Sequence, residues 1–207
     1  MKTILIYGDS NVYGYNPLNG GRYDVLTRWS GILSDTLKDE YHVLEQGMNN
    51  RTGFFKNPEG LKYSGGDYLS IYLQNHKNID ICILALGTND AQRFYDLEEN
   101  SCEIGLLNLI NSVLEANSKT QIIIIPPVKI TDKILNSGFS FMFNSQSIEK
   151  IDKVFSIFEK VAQQNNCLYF DLNKVVQPSE IDGLHYTEEA HAIIARNLIT
   201  VIKEFTI

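Results

Sequence analysis

Ile4-Leu5-Ile6-Tyr7-Gly8-Asp9-Ser10-Asn11 is an apolar run that stops abruptly at a glycine and three small polar residues. A run of bulky, partly β-branched residues this short suits a strand covered on both faces. Gly8 permits a sharp turn or close backbone approach, and Asp9, Ser10 and Asn11 are each competent to cap a following helix. Two readings stay open at this point. Ser10 is either a helix cap and nothing more, or a nucleophile delivered by the end of a strand; the choice depends on Asp182 and His185, far down the chain.

Outward from this strand, Asn11 to Arg28 is rich in Gly, Asn and Tyr and reads as a loop with room for a short helical turn. Trp29, Ile32, Leu33 and Leu37 recur at helical spacing, and Tyr41 to Leu44 predicts a second strand. The loop Gly47-Met48-Asn49-Asn50-Arg51-Thr52-Gly53 follows it. Tyr68, Leu69, Tyr72 and Leu73 suggest a helix, and Ile79 to Leu86 is the strongest strand pattern, ending in Gly87-Thr88-Asn89-Asp90. An amphipathic helix is expected within Leu97 to Leu114, a buried strand over Gln121 to Ile125, a helix over Ser147 to Val161 and a fifth strand over Cys167 to Leu172. The last helix should start at Thr187, a good N-cap with Glu188 and Glu189 behind it. Val128 to Asn144, with Phe139, Phe141 and Phe143, has no clean period. It reads as a lid near the site or as a cover for the core, and its aromatics could line a substrate channel or a subunit contact, which leaves a homo-oligomer open.

Strands separated by helical patterns predict an α/β protein: a five-stranded parallel sheet between two helical layers, a three-layer α/β/α sandwich with right-handed crossovers. With no repeat, low-complexity tract or linker, residues 1–207 are expected to form a single domain. In such sheets ligands sit beyond the carboxyl ends of the strands. Each polar motif follows a strand, so Ser10, Asn50, Asn89 and the Asp182–His185 segment are placed to meet in one cleft.

The composition, 43% hydrophobic and 21% charged, is that of a soluble globular protein. A net charge of −7 without a basic stripe speaks against nucleic acid as a partner. The longest apolar run near the middle, Ile122 to Ile125, is too short to span a bilayer, and Met1-Lys2-Thr3 runs straight into the first strand without a signal-peptide pattern. Cys82, Cys102 and Cys167 are odd in number and lack C-x-x-C spacing, so neither disulfides nor a zinc site is expected. The cytoplasm is the simplest compartment, and no metal or cofactor is called for.

A serine hydroxyl needs a neighbouring base to take its proton during attack. In Asp182-Gly183-Leu184-His185 the spacing lets the carboxylate reach Nδ1 of the histidine, fixing its tautomer, with Gly183 easing the tight path. The plain alternative is a solvated surface turn. Acyl transfer also needs donors aimed at the oxyanion. Asn89 offers a side-chain NH₂, unless it only stabilises a turn; the backbone N–H groups of Ser10 and of a residue between Gly47 and Thr52 offer two more. His42, His76 and His191 lack companions at triad or ligand spacing and read as surface or structural.

Gly8-Asp9-Ser10, Gly87-x-Asn89-Asp90 and Asp182-x-x-His185, in this order and spacing, resemble the blocks of the SGNH (GDSL-type) hydrolases. The resemblance implies a flavodoxin-like sandwich, with Ser10 as nucleophile, His185 as base and then acid, Asp182 as its orienter and Asn89 in the oxyanion hole. In that family a glycine of the second block usually completes the hole. Here either Asn50 or Gly47 takes the position; placing Arg51-Thr52 after it favours Asn50, since a backbone donor requires no particular side chain. Gly14-Tyr15-Asn16-Pro17, Arg28-Trp29 and Asn50-Arg51-Thr52 further resemble a subgroup of aryl esterases and acyltransferases acting on small acyl esters. The implied activity is that of a serine esterase hydrolysing or transferring small acyl groups through an acyl-enzyme, on a small-molecule ester. The rival is a non-catalytic flavodoxin-like module holding a phosphate or nucleotide at helix N-termini. The absence of a Gly-x-Gly-x-x-Gly fingerprint or P-loop speaks against that rival.

Overall fold

The structure, a computed structural model, describes residues 1–205; the last two residues of the expected 1–207 unit lie outside the described ones. Five strands, β1 (Lys2–Gly8), β2 (Tyr41–Gly47), β3 (Ile81–Ala85), β4 (Gln121–Ile125) and β5 (Leu168–Tyr169), form one all-parallel sheet in the order β2-β1-β3-β4-β5. The helices are α1 (Ser10–Tyr13), α2 (Trp29–Leu37), α3 (Gly65–Asn75), α4 (Glu99–Ala116), α5 (Ser145–Gln164) and α6 (Glu188–Phe205). Right-handed crossovers put α2 on one face, where it packs against α6, while α3, α4 and α5 pack in succession on the other. The result is the three-layer α/β/α sandwich that the alternating pattern predicts. Among the described residues no helix is long and apolar enough to cross a membrane.

Both faces of the sheet are covered, which is why its strands read as continuous apolar runs. Ile4, Leu5, Ile6 and Tyr7 have no exposed surface, and Ile81 to Leu84 have almost none. Each such side chain contributes roughly 1.5–3 kcal/mol of burial.

Three of the differences from expectation have local reasons. β2 continues past Leu44 to Gly47, because the polar side chains there have partners: Glu45 accepts from Arg28 Nε and Nη2 at 2.7 and 2.8 Å and from Ser30 Oγ at 2.6 Å. β5 is only two residues long. Phe170 N–H still donates to Ile124 O at 2.9 Å, but Asp171 accepts from Asn173 N–H at 3.0 Å and turns the chain into a short 3₁₀ helix, Leu172–Lys174. α5 starts earlier and ends later than expected, opened by Asn144, whose Oδ1 accepts from Ser147 N–H at 3.0 Å.

Gly8 and Gly47 are register partners at the carboxyl edge of the sheet. A Cβ on Gly8 would lie 2.3 Å from Val12 Cγ2, and one on Gly47 would lie 2.1 Å from Tyr13 N. The missing side chains let α1 sit directly over the strand ends, and this seat fixes where Ser10 points.

Candidate active site

Asp9 is the residue that caps α1: its Oδ1 accepts from Asn11 N–H at 2.9 Å. Burial pushes the Asp9 carboxyl up, against the opposing pull of that N–H bond and of His185 nearby. Ser10, the first helical residue, is therefore free of the capping duty. Its Oγ lies 2.9 Å from His185 Nε2. The neighbouring Asn11 bolts the two segments together, its Nδ2 donating to Leu184 O at 3.2 Å and its own carbonyl accepting from Trp29 Nε1 at 2.9 Å.

On the far side of the imidazole, Asp182 Oδ2 lies 2.7 Å from His185 Nδ1. Oδ1 accepts from the backbone N–H groups of Leu184 and His185, both at 3.0 Å, and from Ser179 Oγ at 2.9 Å. Burial works to raise the Asp182 carboxyl, but its bonds from the His185 ring and the two N–H groups outweigh it and hold it below the usual range. The turn is tight because Gly183 adopts φ 67°, which an L side chain resists. With Nδ1–H donated to the carboxylate, Nε2 presents its lone pair to the serine hydroxyl. Tyr15 lies over the same ring at 4.2 Å between centroids, and Phe139 approaches it at 5.1 Å.

The loops after β2 and β3 form the opposite wall. Asn50 lines the cleft and carries its backbone at φ 59°, whereas Gly47 is the last residue of β2, pressed onto the backbone of Tyr13. Asn89 Nδ2 donates to Arg51 O at 3.0 Å, and Gln92 Nε2 donates to both Asn89 Oδ1 at 3.0 Å and Asn50 Oδ1 at 2.7 Å. These bonds orient the Asn89 amide and leave it a second N–H directed away from Arg51. Asn89 also opens a 3₁₀ turn, Asn89–Ala91.

Two buried charges hold these loops. The Arg51 guanidinium, 1% exposed, donates to the carbonyls of Gly8 at 3.1 Å, Gln46 at 2.5 Å and Lys62 at 3.0 Å, and lies 4.5 Å over the Tyr7 ring. Asp90, fully buried, accepts from the N–H groups of Gly53, Phe54 and Phe55 at 2.6, 2.7 and 3.2 Å. Burial outweighs those three bonds and pushes its carboxyl up to about 6. Sequence reasoning did not single out Arg51, Asp90, Gln92 or Ser179 for these tasks. Only Asp90, adjacent to Asn89, carried a signal that could have done so.

The cleft opens into a cavity of about 580 Å³. Val128 to Asn144 borders the cavity and also covers the core: Phe139, Phe141 and Met142 line the cavity, while Phe143 lines it and is buried in the core. Of the remaining histidines, His42 is exposed, His76 stacks on Tyr72, and His191 is buried with Nδ1 accepting from Trp29 N–H at 3.3 Å. Among the described residues no group of three or more His, Cys, Asp or Glu side chains is placed to hold a metal ion.

This α/β/α sandwich, with a serine, a histidine and an aspartate in hydrogen-bond contact at its carboxyl edge, has the form of a hydrolase. The chain matches the family described as GDSL-like lipase/acylhydrolase over residues 4–198, and it belongs to that family. It is an SGNH-type hydrolase of carboxylic esters. Among solved structures it resembles a carbohydrate acetylesterase family member from Sinorhizobium meliloti, with 27% identity, a TM-score of 0.89 and coverage of 99% of this chain and 98% of that one. It also resembles Est24, a carbohydrate acetylesterase from the same organism, with 23% identity, a TM-score of 0.91 and coverage of 99% and 100%. The M. smegmatis aryl esterase in its inhibitor-bound form shares 23% identity, with a TM-score of 0.90 and coverage of 99% of each chain. At 23% identity the last two speak for the fold alone. No curated protein matches the chain in sequence.

Proposed function

We propose that the chain, acting as a single domain, is a serine esterase that works through an acyl-enzyme on Ser10. As Oγ attacks the ester carbonyl, its proton passes to His185 Nε2, and Asp182 stabilises the imidazolium through Nδ1. The oxyanion is received by the backbone N–H of Ser10, the backbone N–H of Asn50 and the second N–H of Asn89 Nδ2, each such donor typically worth about 2.7–4 kcal/mol. His185 then returns the proton to the leaving alkoxide and the alcohol departs. Water repeats the sequence on the acyl-enzyme, with His185 again taking and returning the proton and the free acid released; another alcohol takes the place of water where water is excluded.

The observation that carries this reading is the continuous chain from Ser10 Oγ through the imidazole to Asp182, with contacts of 2.9 and 2.7 Å. For the second-block donor, Asn50 is favoured over Gly47 by its left-handed backbone, the conformation in which glycine is usual and asparagine tolerated. Similarity to a carbohydrate acetylesterase family member makes acetyl esters the natural first substrates to try. Ser10→Ala should fold as the parent does, fail to react with a fluorophosphonate probe and lose p-nitrophenyl acetate turnover. Undiminished turnover in folded Ser10→Ala removes Ser10 from the mechanism.

A further inference from the structure

The cavity next to Ser10 is unusual in what its polar side chains are doing. Asn57 Nδ2 donates to Asn50 O at 2.8 Å and Asn57 Oδ1 accepts from Glu59 N–H at 3.0 Å. Gln92 Nε2 is shared between Asn50 and Asn89, and Asn89 Nδ2 is engaged by Arg51 O. Four of the lining amides are thus bonded to one another or to the backbone. A further lining amide, Asn49, has a buried carbonyl oxygen without a hydrogen-bond partner. Aromatic rings make up much of the rest of the lining: Tyr15, Phe94, Tyr95, Phe139, Phe141 and Phe143.

Charge adds a second constraint. Apart from His185, Glu59 is the one charged residue among those lining the cavity, and it is exposed at the rim. Phe94 and Phe141 are each 64% exposed there, and the segments that carry them are joined by Arg93 N–H donating to Met142 O at 2.9 Å. Glu59, Phe94, Tyr95 and Phe141 all line this cavity. Two exposed aromatic rings and an exposed carboxylate thus border one opening, the combination that attracts a weakly hydrated cation.

We propose that the cavity selects esters whose non-reacting body is apolar and ends in a positive charge, an alkylammonium held at the rim by Phe94, Phe141 and Glu59. The inference rests on the esterase reading of the same cavity and adds a substrate class to it. Anionic esters are disfavoured by Glu59.

The test compares trimethylammonio-alkyl acetates of increasing chain length with their tert-butyl isosteres, in which carbon replaces the charged nitrogen, following acid release. At the best length the cationic ester should exceed its isostere in kcat/KM by about threefold to thirtyfold. That ratio should shrink in high salt, since the rim is exposed. Glu59→Gln and Phe141→Leu should each lower the ratio. A ratio of one or below at every length overturns the inference, as does a ratio that both variants leave intact. If p-nitrophenyl acetate is cleaved while the ratio is one, only this inference fails. If p-nitrophenyl acetate is not cleaved either, the esterase reading fails and takes the inference with it.

Discussion

Asn50 holds its backbone in the left-handed region at φ 59°, where a β-branched side chain is strained by about 1–3 kcal/mol. A donor that acts through the peptide N–H depends on that geometry and not on the amide side chain. Asn50→Gly is accordingly expected to keep most of its turnover of p-nitrophenyl acetate, while Asn50→Val should lose roughly tenfold or more in kcat. Equal loss in both would move the donor elsewhere. Asn89 is the opposite case in the proposed mechanism, where the side chain donates: Asn89→Ala should lower kcat by about 10²–10³ with a smaller change in KM. Ser10, Asn89, Asp182 and His185 were legible in the sequence because each sits in a short block at the end of a strand or start of a helix. Arg51, Asp90 and Ser179 were not, because their tasks are defined across space. Asp90 stands in the block with Asn89, but its three N–H partners come from a loop 35 to 37 residues away, which the block does not announce.

At the level of elements, periodicity located the sheet and its helices well and their ends less well. β2 outran its apolar residues because Arg28 and Ser30 gave Glu45 partners, and β5 fell short because Asp171 turned the chain. The sequence left His191 as surface or structural. It lies on the buried side of α6 and accepts from the first N–H of α2, which requires Nδ1 to be unprotonated. Burial, with a smaller push from His185, lowers it from 6.5 to about 4. A histidine depressed in the folded state binds its proton more readily when unfolded. Its contribution is therefore fully present above pH 6.5 and is lost as pH falls through about 4, a change on the order of 3 kcal/mol. Urea unfolding at several pH values should show this slope in the parent protein and a flatter one in His191→Asn. Identical slopes would place the pH sensitivity in other groups.

Over the whole molecule, Ser10 and His185 are separated by 175 residues and meet because β1 is an interior strand of the sheet and α6 returns to pack on α2. Trp29, the sole tryptophan, stands at that junction, bonded to Asn11 beside the serine and to His191 on α6. Its fluorescence and the ester turnover should be lost at the same urea concentration. Turnover lost well before the fluorescence changes would indicate that the cleft opens locally while the α2–α6 contact persists. That the cleft lies beyond the carboxyl ends of the strands was foreseeable from the polar motifs that follow them, but the bonded amides lining it were not, since hydrogen bonds among Asn50, Asn57, Asn89 and Gln92 leave no periodic trace.

The seat that Gly8 and Gly47 make for α1 has a consequence for how this chain tolerates change. Two adjacent strands give up their side chains at one spot, so the helical turn rests on bare peptide, and any methyl group added there lifts the serine from its base. Alanine at either position is the mildest substitution chemistry allows. Here it should leave a sheet that still forms around its apolar interior and a hydroxyl that no longer has anywhere to send its proton.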